Sequence, residues 1–176
     1  MAKWQLPPVD EILQAVLYEP DTGKLFWRED RPRLSSRGNY GTGEAFKARM
    51  PKGYLFGGWK GRKLYAHRVA WVCAYGVWPS GEVDHINGVR DDNRLVNIRD
   101  ATAADNRRNM RPLGGASEFK GVVKSTSAKN PWAARLSVAN KPVHLGVFRT
   151  EKEAAQAYDD AARIYFGEFA RLNFTD

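Results

Sequence analysis

Only one cysteine, Cys73, occurs in the 176-residue chain. A single thiol closes no internal disulfide and excludes zinc fingers or ribbons built on paired cysteines. It fits a reducing compartment, so the expected location is the cytoplasm. No run of about 18 apolar residues is present, so no membrane span is expected. The first residues, Met1-Ala2-Lys3-Trp4-Gln5-Leu6-Pro7-Pro8, lack the apolar core of a secretory leader. Internal repeats and low-complexity tracts are absent too. What is present is ordinary globular composition, 43% apolar and 27% charged, with length for one medium domain or two small ones.

Negative charge is the other shortage, and its placement matters. The net charge is +8. Residues 24–68 carry +9 and residues 107–149 carry +8, while the segments 1–23, 69–106 and 150–176 carry −3 each. Two basic blocks interleaved with aromatics and glycines are the footprint of a polyanion binder, because each neutralised phosphate releases counterions. Neither block has the amphipathic helical pattern of a membrane-surface segment.

Apolar spacing predicts a helix over residues 9–17. Asp21-Thr22-Gly23-Lys24-Leu25-Phe26-Trp27 reads as a turn feeding a strand. Residues 30–52, rich in Arg, Ser and Gly, read as a long surface loop. Gly53-Tyr54-Leu55-Phe56 and Lys63-Leu64-Tyr65-Ala66 suggest a hairpin around residues 57–61. Residues 67–75 should form a buried helix ending at Gly76, with Cys73 in the core. Arg111-Pro112-Leu113-Gly114-Gly115-Ala116-Ser117 breaks regular structure. The expected domains are therefore residues 1–110 and 119–176, joined by a linker over 111–118. In the second, short strands over about residues 119–148 precede a helix opened by Thr150-Glu151-Lys152-Glu153, a capping box. Ala154, Ala155, Tyr158, Ala161, Ala162 and Tyr165 should form its buried face.

The chemistry concentrates at Glu82-Val83-Asp84-His85-Ile86-Asn87-Gly88. Val83 to Ile86 alternates like a strand, Asn87-Gly88 is a favoured hairpin turn, and Leu95-Val96-Asn97-Ile98 is the expected returning strand. Thr102-Ala103-Ala104-Asp105 starts a helix that carries Asn106. Such a strand–strand–helix unit brings Asp84, His85 and Asn106 together. Oxygen donors from Asp and Asn suit Mg²⁺ or Mn²⁺ better than zinc. The His85 imidazole, with its ordinary pKa near neutrality, is placed to act as general base. Asp91, Asp92 and Asn93 read as a solvated turn, with a second metal site as the alternative. His67 reads as structural or as a phosphate contact.

These residues resemble the HNH nuclease family in its phage and homing-endonuclease branch. The match includes Tyr18-Glu19-Pro20-Asp21-Thr22-Gly23-Lys24-Leu25-Phe26-Trp27, then Ala66-His67-Arg68-Val69-Ala70-Trp71, Trp78-Pro79 and Val83-Asp84-His85-Ile86-Asn87-Gly88. It ends with Asp92-Asn93-Arg94-Leu95-Val96-Asn97-Ile98-Arg99 and Asn106-Arg107-Arg108-Asn109, and covers roughly residues 10–110. The resemblance implies a ββα-metal fold with Asp84 as metal ligand and His85 as the base that activates water. It implies that Asn97 ties the loop between the strands, and that Asn106 stands as second ligand where the family has a final histidine. Asn109 is the alternative for that position.

Residues 119–174 resemble the plant ethylene-response-factor (AP-two type) DNA-binding domain. The residues that carry this are Phe119-Lys120-Gly121-Val122, Trp132-Ala133-Ala134-Arg135-Leu136, His144-Leu145-Gly146-Val147-Phe148, residues 150–159 and residues 166–174. The resemblance implies three antiparallel strands packed on one helix, with the sheet in the major groove. Alternation agrees: Trp132, Ala134, Leu136 and Val138 should face the helix, and Ala133, Arg135, Ser137 and Ala139 should face outward. Arg135 is then a groove reader, since Arg bonds a guanine edge bidentately. Lys120, Lys124, Ser137, Lys141 and His144 are further contact candidates here. Lys60, Arg62, Lys63, Arg68, Arg107 and Arg108 are the candidates around the first domain.

The expected fold class is thus α+β, a ββα-metal nuclease domain followed by a small three-stranded antiparallel sheet on one helix. The expected activity is metal-dependent hydrolysis of phosphodiesters in duplex DNA by a homing-type endonuclease of a phage or bacterial host cell. Mg²⁺ is the expected cofactor, with Mn²⁺ possible and no small-molecule cofactor, and the protein is expected to act as a monomer on DNA. A non-cleaving sequence-specific DNA-binding regulator is the alternative from another class, and an RNA-binding or RNA-cleaving protein is a third.

Overall fold

The computed structural model describes residues 6–31, 43–110 and 115–174. The chain divides into two compact units, Met1–Thr102 and Ala103–Asp176. The first half of the linker expected over residues 111–118 lies outside the described residues.

The first unit gathers three small antiparallel sheets around one helix. Helix α1 (Val9–Ala15) is shorter than its apolar spacing predicted, because the chain passes directly into strand β1 (Val16–Glu19). β1 pairs with β2 (Lys24–Trp27), and β2 with β3 (Gly43–Ala45). Strand β4 (Ala48–Arg49) pairs with β5 (Leu55–Trp59), which pairs with β6 (Arg62–Tyr65). The loop expected over residues 30–52 is therefore strand in part, and its Ala45 and Phe46 are buried; residues 32–42 lie outside the described residues. Apolar side chains anchor that segment despite its basic composition.

Helix α2 (Ala66–Tyr75) is the hub of this unit, touching α1, β1, β2, β5 and β6. Its Val69, Ala70 and Val72 are fully buried, and Gly76 ends it in the left-handed conformation at φ 69°. Around them pack Ile12, Leu25, Phe46, Trp59, Leu64, Val83 and Ile98. The expected helix and its cap are both in place.

Strand β7 (Glu82–His85) pairs with β8 (Ile98–Ala101), from Glu82↔Ala101 to His85↔Ile98. Here the structure corrects the expected hairpin. Asn87-Gly88 does not join two strands tightly; the connection is the long loop 86–97, and Leu95–Asn97 is a 3-10 turn rather than the returning strand. Polar side chains brace that loop, as described below.

The second unit begins with helix α3 (Ala103–Asn109). Then come β9 (Val122–Lys124), β10 (Trp132–Val138) and β11 (Lys141–Phe148), ordered β11-β10-β9 and antiparallel throughout. Helix α4 (Glu151–Phe166) packs across all three. Its predicted capping box is formed. Thr150 Oγ1 accepts from the Glu153 amide, and Glu153 Oε2 accepts from the Thr150 amide, each at 3.2 Å. Four-residue steps along α4 bury Ala154, Tyr158, Ala162 and Phe166. Tyr165, expected on that face, is 51% exposed, because Phe166 closes the stripe instead. Gly121 answers a close approach. At its φ of 77°, an added Cβ would sit 1.9 Å from Tyr158 Cδ2, so only glycine lets the helix lie this near the sheet.

On β10, Arg135 and Ser137 are exposed and Ala134 and Leu136 are buried, as the alternation predicts. Ala133 departs from it. It is buried between Val123 and Val147 on the neighbouring strands, just before a register shift at Ala134/Arg135.

Candidate active site and DNA-contact surfaces

Asp84 and His85 are neighbours on β7, so their side chains leave the strand on opposite sides. Their surroundings differ accordingly. The Asp84 carboxylate is buried and faces its cross-strand partner Arg99, whose Nε and Nη2 donate to Oδ2 at 2.9 and 2.8 Å. Both side chains are at least nine-tenths buried, so the guanidinium balances a charge that burial alone would penalise. Arg99 was legible only as part of a motif; its cross-strand register with Asp84 is what gives it a place in the site.

His85 is equally buried, at 4% exposure. Its Nε2 lies 3.0 Å from Asn93 Oδ1. An amide oxygen only accepts, so Nε2 carries the proton and Nδ1 is the basic nitrogen. The ring packs against Tyr54, with centroids 5.9 Å apart, and meets His67 edge to face at 5.2 Å. Burial lowers the His85 pKa, while the bond to Asn93 and the Asp84 charge oppose that shift. The imidazole is therefore neutral and able to take a proton at neutral pH.

Asn93 was expected in a solvated turn. It is instead 1% exposed, and its Nδ2 has no hydrogen-bond partner among the described residues. Its sequence neighbours Asp91 and Asp92 suggested solvent, but the β1–β2 turn covers it. Tyr18 Oη donates to the Asn93 carbonyl at 2.7 Å, and Leu95 N donates to the Pro20 carbonyl at 3.0 Å. A Cβ on Gly23 would fall 2.6 Å from the Asn93 carbonyl carbon and 2.5 Å from Arg94 N, so this contact needs glycine. The segment Tyr18 to Gly23 thus buttresses the loop that holds the imidazole.

Asn97 spans the same loop. Its Oδ1 accepts from the Asn87 amide at 3.0 Å and its Nδ2 donates to the Asp92 carbonyl at 2.7 Å. This is the loop-tying arrangement the resemblance implies. Asp92, bonded by Arg94 and by Asn87 Nδ2, has its pKa pulled down to about 2, chiefly by the Arg94 bond.

His67, at the start of α2, is 7% exposed and its Nδ1 has no hydrogen-bond partner among the described residues. Burial is the main cause of a pKa lowered to about 3, with the neighbouring His85 adding to it. It stacks on Tyr65 at 5.4 Å and packs against the His85 ring, a buried place rather than a solvent-facing phosphate contact. Cys73 is in the apolar layer, and burial pushes its thiol up to about 12.

Asn106 stands on α3, in the second unit, half-buried; Asn109, the alternative ligand, is buried. Among the described residues, no group of three or more His, Cys, Asp or Glu side chains is arranged to hold a metal ion. The donor set suits a hard divalent cation that keeps most of its waters and takes only one or two protein oxygens. It does not suit zinc, which takes three or four nitrogen and sulfur ligands.

Residues 64–108 match the family model described as HNH endonuclease. The chain carries an HNH endonuclease domain. That match runs from β6 through α3, so it includes Asp84, His85, Asn93, Asn97 and Asn106. The chain is also similar to plant proteins named as transcription factors or element-binding proteins. The chain is 33% identical over 97 residues to the AP2-like ethylene-responsive transcription factor AIL7 of Arabidopsis thaliana, 54% of this chain and 18% of that protein. It is 43% identical over 67 residues to the dehydration-responsive element-binding protein 2A of Oryza sativa subsp. indica, 37% of this chain and 24% of that protein. The dehydration-responsive element-binding protein 2A of Arabidopsis thaliana is 40% identical over 65 residues, 36% of this chain and 19% of that protein. The chain thus spans about a fifth of the length of these relatives.

The candidate DNA contacts divide by their surroundings. Around the HNH domain, Arg62 and Arg107 are exposed. Lys60 pairs with Glu11 at 2.7 Å, and Lys63 lies over the Phe56 ring at 4.5 Å. Arg68 is committed internally, donating to the Gly81 carbonyl at 3.1 Å beside Trp78, and burial lowers its pKa. In the second unit Arg135, Ser137, Lys141 and His144 are exposed on the sheet. Lys124 sits 3.6 Å over the Trp132 ring, whose other contacts are core. Lys120 and Arg108 are engaged within the unit. Lys120 Nζ donates to the Arg108 and Met110 carbonyls, and Arg108 pairs with Asp105 and lies over Phe166.

Proposed function

We propose that the protein is a metal-dependent, homing-type endonuclease that hydrolyses phosphodiester bonds in duplex DNA. The observation that carries this reading is the bond from His85 Nε2 to Asn93 Oδ1 inside the HNH domain. It supports a neutral imidazole whose Nδ1 removes a proton from a water that attacks phosphorus. Asn93 fixes the tautomer and Asn97 the loop. Tyr54 and His67 keep the ring in an apolar, low-dielectric setting.

Asp84 and Asn106 would hold the metal, Mg²⁺ by the hardness of the donors, with Arg99 orienting the Asp84 carboxylate. When bound, such an ion stabilises charge developing on the phosphate and its leaving oxygen. The products would be 5′-phosphate and 3′-hydroxyl ends. Exposed basic residues of the first unit would grip phosphates, and the β9–β11 sheet would read a groove through Arg135.

A second reading is a regulator that binds DNA without cutting it, favoured by the transcription-factor names of the plant relatives. One experiment separates the two. The full chain is incubated with supercoiled plasmid in Mg²⁺ and in chelator, with duplex RNA as competitor. Nicked or linear product in Mg²⁺ alone supports the nuclease. Retention of the plasmid without any strand break supports the regulator, and preference for the RNA competitor points to an RNA-directed protein.

A further inference from the structure

The helix that carries Asn106 is built into the DNA-binding unit, and one lysine makes the connection. α3 has seven residues, too few to be stable alone in water. Its last turn leaves carbonyls without partners from the helix itself. Two carbonyls at this end, those of Arg108 and Met110, accept from Lys120 Nζ, the second at 2.8 Å. A cation at a helix C-terminus also opposes the negative end of the helix dipole.

Lys120 reaches them from a fixed point. Its amide donates to Asn173 Oδ1 at 2.6 Å, and its carbonyl accepts from Asn173 Nδ2 at 3.1 Å. Asn173 is held in turn by Asp159, a fully buried carboxylate of α4 that accepts from the Asn173 and Phe174 amides at 2.9 Å. A continuous set of hydrogen bonds therefore runs from the core of the sheet-and-helix module to the end of α3. Arg108 adds a second attachment, with its guanidinium over Phe166 at 5.0 Å. Burial lowers the Lys120 pKa to about 8, in keeping with an ammonium withdrawn from water onto carbonyls.

We propose that Lys120 is a positioning residue for the nuclease, holding the helix that presents Asn106 so that the DNA-binding module sets the geometry of the metal ligand. This rests on the reading of Asn106 as a ligand. It gives the basic side chain at position 120 a task other than touching DNA.

The test uses the full chain as wild type, Lys120→Met, Lys120→Gln, Lys120→Arg and Asn106→Ala. Amide exchange of α3 and α4 is measured together with Mn²⁺ binding followed by electron paramagnetic resonance. In Lys120→Met, α3 amides should exchange about tenfold faster or more, the effect of losing a charge-assisted bond. Mn²⁺ affinity should fall by a similar factor while α4 protection and affinity for duplex DNA stay unchanged. Lys120→Arg should restore both, and Lys120→Gln, the gentler change if Met disrupts the unit, should fall between. Unchanged α3 exchange, or faster α3 exchange with unchanged Mn²⁺ affinity, overturns the proposal. A wild type whose Mn²⁺ binding is the same as that of Asn106→Ala overturns it differently, by removing Asn106 as ligand and leaving Lys120 a structural cap.

Discussion

The two units bury polar groups in different ways. In the first, His67, Asp84, His85, Asn93 and Asn97 all lie within the protein, clustered near one end of β7 and its loop. Three buried polar atoms lack partners among the described residues, Trp59 Nε1, His67 Nδ1 and Asn93 Nδ2, and all are in this unit. In the second, alanines and aliphatic residues fill the space between α4 and its sheet, and the buried carboxylate of Asp159 is satisfied by backbone amides. Interiors normally pair their polar groups, because an unpaired one costs about 1–3 kcal/mol. Two of the three flank the His85 imidazole, so the first unit concentrates this cost at one ring, whereas the second avoids it among its described residues.

The sharpest way to break this contrast is at the buried pair. Asp84→Ala strands the Arg99 guanidinium and should destabilise the protein by about 3–5 kcal/mol in denaturant unfolding. Replacing both residues with apolar ones should recover most of that stability without recovering cleavage. A double variant that cuts DNA would make Asp84 structural only.

On the other side of the comparison, Arg135→Ala should weaken binding to the preferred duplex by about 1–3 kcal/mol, read by titration at fixed salt, with the cleavage rate at saturating DNA unchanged. An equal loss on all sequences would reduce Arg135 to a phosphate contact.

The pH dependence of stability should reveal His67. Its pKa is lowered from 6.5 to about 3 by burial. The unfolded chain therefore takes up a proton that the folded chain refuses, so stability is constant above neutrality and lost as pH falls. Between pH 7.5 and pH 5 this group should account for about 2 kcal/mol, since each unit is worth about 1.4 kcal/mol. His67→Gln should flatten the unfolding curve by that amount, and an unchanged slope would mean the imidazole is protonated in the fold. The smallest effect belongs to the second unit. Thr150→Ala removes one half of the capping box and should cost about 1 kcal/mol of that unit's stability by thermal unfolding.

Local signals were the legible ones. The buried helix ending at Gly76, the capping box at Thr150 and the alternation along β10 follow from short-range patterns, and the structure reproduces them. Asp84, His85 and Asn97 stood out because their motif is compact in sequence. Asn87-Gly88 misled because a favoured turn dipeptide was overruled by side-chain bonds from Asn97 to both ends of a longer loop. Asn93 and Arg99 stayed hidden for a different reason. The burial of one depends on a turn some seventy residues earlier, and the partner of the other is set by strand register, so neither is written in its own neighbourhood.

The most direct test of the account is single-turnover cleavage of one duplex by wild type and His85→Ala in Mg²⁺, with DNA affinity measured alongside. Loss of the general base should slow cleavage by about 10²–10⁴-fold at unchanged affinity. A His85→Ala protein that cuts at the wild-type rate would contradict it.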